Sequence, residues 1–87
     1  ILSLRTDVEQ RILTLGKRTP NARAALNLLY RRPVVAAADL EQTLGVSVPT
    51  AQALIKDLVR LEILTEITGQ MRGRLYEFQP YLDLFVS

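Results

Sequence analysis

Cysteine and histidine are both absent from this 87-residue chain. Without cysteine there is no disulfide framework and no thiolate metal site. Without histidine the commonest general base and the commonest metal ligand are missing. There is no glycine-rich phosphate loop either, and no apolar run approaches the ~20 residues needed to span a membrane. The chain begins at Ile1 with no signal-peptide layout, so it reads as a piece of a longer protein. These absences lead us to expect a small cytoplasmic module with no cofactor and no metal.

What is present begins with apolar residues, at 48% of the chain, enough for one small core without staples. The net charge of +2 is unevenly spread. Residues 1–32 carry seven basic side chains against Asp7 and Glu9, whereas residues 33–87 carry four basic against seven acidic. A phosphate-tracking domain usually concentrates positive charge near its reading element. The acidic balance of the second part therefore weighs against nucleic acid.

Along the chain, Ile1, Leu4, Val8, Ile12 and Leu15 recur at helical spacing, and Gly16 with Lys17 and Arg18 marks the end of that helix. Thr19-Pro20 reads as a cap followed by proline in the first turn of a second helix. Its stripe is Ala22, Ala25, Leu26, Leu29 and Tyr30, and Arg31-Arg32-Pro33 stops it. Val34-Val35 after that proline is extended, a short edge strand. Ala37, Leu40 and Leu44 then mark a third helix ending at Gly45. Val46 should bury inside the turn, and Ser47 should cap a fourth helix through residue 61. Its inward stripe is Ala51, Leu54, Ile55, Leu58 and Leu61, and its outward face Thr50, Gln52, Ala53, Lys56, Asp57 and Arg60. "ILTEITG" and "RLYEFQ" alternate as two strands around the glycine-bounded "GQMRG".

Helix, short strand, helix-turn-helix and hairpin in that order make a winged helix. The expected fold is mainly α with a small β-hairpin. Residues 1–18 form an extra connecting helix before a winged helix-turn-helix over residues 19–87.

The residues Val35, Asp39-Leu40, Leu44-Gly45-Val46-Ser47, Thr50-Ala51, Leu58, Ile63-Leu64-Thr65-Glu66 and Thr68-Gly69, followed by "RGRLYEFQPYLDLF", also carry a family likeness. They resemble the C-terminal winged-helix domain of Fic (filamentation induced by cAMP)-family proteins. The tail Tyr81-Leu82-Asp83-Leu84-Phe85 after Arg74-Leu75-Tyr76 is the more particular part of the match, and the likeness covers residues 22–85. Fic enzymes transfer AMP from ATP to a hydroxyl side chain through a histidine-containing loop that a chain without histidine cannot hold. The resemblance thus implies a non-catalytic regulatory module, with no catalytic residue carried over. One departure is local. Winged helices often place glycine just before Ile-Leu at the exit of the recognition helix, and here the residue is Glu62.

The candidate nucleic-acid contacts are Thr50, Gln52, Lys56 and Arg60 on the fourth helix, with Arg72 and Arg74 at the wing tip. Gln52 can bond an adenine edge bidentately, and the cations can reach phosphates. Each also has a plain reading, as a solvated charge or an exposed amide. Asp39 and Glu41 read as charges at a helix amino end rather than an acid–base pair. Tyr76, Phe78, Tyr81 and Phe85 read as a core clamp rather than a stacking platform. The expected partner is double-stranded DNA. The alternative is a Fic catalytic domain or target protein, or a homodimer formed through the N-terminal helix.

Overall fold

A computed structural model describes residues 2–69 and 72–85. Ile1, the tip residues Gln70 and Met71, Val86, Ser87 and the side chains of Leu2 and Phe85 lie outside what is described. Helix α1 (Leu2–Ile12) passes through a 3-10 segment (Leu13–Arg18) into α2 (Thr19–Arg31). Strand β1 (Val34–Val35), α3 (Ala37–Leu44) and α4 (Val48–Arg60) follow. Then come β2 (Leu64–Glu66), β3 (Tyr76–Phe78), the short α5 (Gln79–Leu82) and a last 3-10 turn (Asp83–Phe85). The three strands form one antiparallel sheet in the order β1-β3-β2. This is the winged helix-turn-helix with an extra N-terminal helix.

The local signals act where the sequence places them. Gly16 bends the chain between α1 and α2 at φ 62, and Gly45 ends α3 in the left-handed region at φ 66. The Ser47 hydroxyl accepts from the Thr50 N–H at 3.3 Å, satisfying one first-turn donor of α4. Asp39 closes only half of a capping box, because its carboxylate accepts the Ala36 N–H at 2.7 Å while Ala36 has no side-chain acceptor to return. Thr19 departs from expectation. Its hydroxyl donates to the Ile12 carbonyl at 3.0 Å, so it closes the end of α1 instead of capping α2.

Leu4, Val8, Ile12 and Leu15 are buried in the same core as Ala25, Leu29, Leu40, Leu54, Leu58 and Phe78. The described residues of the stripe expected to need either the domain or a second copy are thus covered by the chain itself. Leu40, Ala51, Ile55 and Leu58 are core residues as the spacing predicts, while Val46 is only partly buried against them. Tyr30 joins Phe78 and Tyr81 in an aromatic cluster with ring centroids 5.4 to 5.7 Å apart, and Arg5 lies 4.3 Å over the Tyr30 ring. Of the clamp expected of the C-terminal aromatics, Phe78 and Tyr81 are in this cluster, with Tyr30 as an added member. Tyr76 packs partly buried against the core outside it, and the Phe85 side chain lies outside the described residues. Among the described residues no helix is long and apolar enough to cross a membrane.

Candidate nucleic-acid interface

A groove of about 570 Å³ lies between helix α4 and the wing. Gln52 and Lys56, one turn apart on α4, form one bank, with Ile55 beside them. Arg72, Gly73 and Arg74 of the wing form the other. Ala36, Ala37 and Ala38 at the start of α3 also line it, with side chains no larger than a methyl group. Four of the six residues singled out in the sequence thus face one space.

The other two do not. The Thr50 Oγ1 accepts from the Ser47 hydroxyl at 2.9 Å and belongs to the cap of α4. The Arg60 guanidinium lies 3.2 Å from the Asp57 carboxylate. Neither lines the groove.

Asp57 itself overturns the expectation that it faces solvent between Lys56 and Arg60. The residue is buried, at 7% exposure. Its two oxygens take the Arg18 guanidinium in a two-point pair, Nε at 2.5 Å and Nη2 at 3.1 Å. The Asp57 hydrogen bond and charge hold Arg18 protonated more firmly than usual. A helical position beside Leu54 and Leu58 turns toward the core, and a carboxylate is tolerated there only because two guanidinium groups reach it.

Charge is redistributed in the same way across the molecule. Arg11 pairs with Asp7 at 2.7 Å, Arg23 with Glu9 at 3.0 Å and Arg32 with Asp39 at 3.5 Å. Of the basic excess of residues 1–32, Arg18 and Arg32 are paired with carboxylates of the acidic part. Lys56 and Arg72, in contrast, have no carboxylate within ion-pair distance among the described residues. Summed along the sequence, α4 lies in acidic territory; in three dimensions its outward face does not.

The wing is ordered from below by Glu66. Its carboxylate accepts from the Thr68 hydroxyl at 2.8 Å, from the Thr68 N–H at 3.1 Å and from the Gly69 N–H. The Thr68 hydroxyl, then the Gly69 amide, hold the Glu66 carboxyl below the usual glutamate range, and the positive charge of Arg74 acts in the same direction. Leu75 N–H donates to the Thr68 hydroxyl at 3.2 Å, tying the two sides of the hairpin.

Sequence reading missed the alanine end of the groove and the part played by Arg18. An Ala-Ala-Ala run before an aspartate is a weak signal, and the Arg18–Asp57 pair spans 39 positions with no local pattern to announce it. Among the described residues there is no cluster of ligating side chains that could hold a metal ion. Comparisons with protein-family models, with curated proteins and with solved structures each find no match for this chain.

Proposed function

We propose that this chain is a non-catalytic winged-helix module that binds duplex DNA through the groove between α4 and the wing, as a regulatory part of a Fic-type protein. The observation that carries the reading is the convergence of Gln52, Lys56, Arg72 and Arg74 on one open space, with Asp57 turned away and bound by Arg18 and Arg60. Lys56 and the wing arginines would take phosphates, and Gln52 offers an amide that can both donate to and accept from a base edge. The groove has no nucleophile with a partnering base, so the reading is one of binding and not of chemistry. The likeness to the Fic C-terminal domain rests on the residues quoted from the sequence.

The test is duplex binding followed by fluorescence anisotropy at low salt. Lys56→Ala/Arg72→Ala should lose roughly tenfold or more in affinity. Lys17→Ala/Arg31→Ala removes the same charge away from the groove and should lose little. No binding by the parent protein, or equal losses in the two variants, would leave the groove without this role.

A further inference from the structure

The two banks of the groove are joined in the chain by a single turn. Helix α4 ends at Arg60 and β2 begins at Leu64. Leu61, Glu62 and Ile63 therefore carry the chain from the bank of Gln52 and Lys56 to the strand that leads into the wing. Paired backbone bonds close the turn: the Ile63 N–H donates to the Leu58 carbonyl and the Glu62 N–H to the Val59 carbonyl, each at 2.9 Å. Its left-handed position, where glycine costs least, is held by Glu62 at φ 61. Among the described residues no backbone N–H reaches the carbonyls of Leu61 and Glu62, so the exit of α4 needs a donor from elsewhere.

That donor is Arg11, in the last turn of α1. Its Nη1 donates to the Leu61 carbonyl at 3.1 Å and lies 3.5 Å from the Glu62 carbonyl. Its Nη2 is held by the Asp7 carboxylate at 2.7 Å. One guanidinium thus ties α1 to the point where α4 hands over to the wing, and its charge suits the carboxyl end of the α4 dipole. Leu4, Val8 and Ile12 fix α1 in the core, so the arginine acts from a firm base. Its own side chain is one-third exposed, at 33%, and can leave the carbonyls without opening that core.

We infer that Arg11 is a positioning residue of the groove: through it the docking of α1 sets how α4 and the wing stand to each other. With the guanidinium on the Leu61 carbonyl, the turn is closed and the banks keep one separation. Without it the exit carbonyls lose their donor, the strained turn loosens and the separation varies. Displacement of α1 then regulates duplex binding, a consequence that rests on the duplex-binding reading; the geometry does not.

The test measures the separation directly. The chain has no cysteine, so spin labels at Ala53→Cys on α4 and Ile67→Cys beside the wing, both exposed positions, report without background in electron paramagnetic resonance. The parent should give one narrow distance, and Arg11→Ala, with an unchanged circular dichroism spectrum, a broader distribution. Arg11→Lys, which keeps a donor, should narrow it again in part. Arg23→Ala removes the pair between α2 and Glu9 of α1, 3.0 Å apart and unconnected to the turn, and should match the parent. Duplex affinity of the unlabelled Arg11→Ala protein should fall about fivefold or more, the low end of coupling between two sites. Its salt slope should not change, because no phosphate contact is lost. An unchanged distribution in Arg11→Ala overturns the inference, as does equal broadening in Arg23→Ala. Broadening with full duplex affinity also overturns it. If the parent binds no duplex, the function proposed above falls, and the distance distributions still decide whether Arg11 positions the banks.

Discussion

At Glu62 the chain reverses between α4 and β2 with φ 61, a conformation that costs a residue with a Cβ about 1–2 kcal/mol. Glycine would remove that cost but give the unfolded chain more freedom, worth about 0.4–1 kcal/mol. The difference predicts that Glu62→Gly raises stability by about 0.5–1 kcal/mol, read as a higher urea midpoint at unchanged slope. A lower midpoint would mean that the Glu62 side chain makes a stabilising contact of its own. Asp57 is the opposite case, a buried carboxylate held by Arg18 and Arg60. Asp57→Ala should cost about 1–3 kcal/mol, the scale of hydrogen bonds to charged groups. A double-mutant cycle with Arg18→Ala should show positive coupling, and strictly additive losses would mean the pair contributes nothing jointly. The two residues differ in how far the sequence discloses them. The Glu62 conformation is announced by the missing glycine before Ile63-Leu64, a local signal. Asp57 is misplaced by residue type: its angular position beside Leu54 and Leu58 faces inward, but a carboxylate reads as solvent-facing unless its distant partner is known.

Among the elements, the wing depends most on one group. Glu66 stands at the end of β2 and accepts from Thr68 and Gly69, so its ionised form organises the turn. Its carboxyl is depressed below the usual glutamate range by the Thr68 hydroxyl first and the Gly69 amide next. For a depressed carboxyl the sign is fixed: the stabilisation is fully present above the unfolded value and is lost as pH falls through the folded one. The wing should therefore hold its order at neutral and mildly acidic pH and loosen only in stronger acid. NMR titration of the Thr68 and Gly69 amides should give a shared midpoint below that of an ordinary glutamate, and Glu66→Gln should erase it. A midpoint at or above the ordinary value would break the link between this carboxylate and the turn. Most element boundaries were legible because their causes are local: Pro33 stops α2, Gly45 ends α3, and Ser47 with Pro49 starts α4. Thr19 was not, because Thr-Pro before a helix reads as a cap whichever end the hydroxyl serves, and here it serves the Ile12 carbonyl.

Across the whole molecule, a basic first part and an acidic second part fold onto each other. Arg18 and Arg32 neutralise Asp57 and Asp39, and the groove cations are left facing outward. The linear charge split argued against nucleic acid; its folding removes much of that argument. The count of candidate contacts also changes. Arg60 is held by Asp57 and does not line the groove, so the proposed phosphate contacts are the three cations that do, Lys56, Arg72 and Arg74. With a slope near −0.9 per contact, the logarithm of affinity for duplex DNA should fall with the logarithm of salt at roughly −2.7. A fourfold rise in salt then weakens binding by roughly 40-fold. Lys56→Ala should flatten the slope by about 0.9, whereas Arg60→Ala should leave it nearly unchanged. The slopes come from anisotropy titrations at several salt concentrations. A slope near zero for the parent protein would mean that the contacts are not to phosphates. A slope that flattens equally with Arg60→Ala would mean that the Asp57 pair opens on binding and that the fourth cation joins the interface.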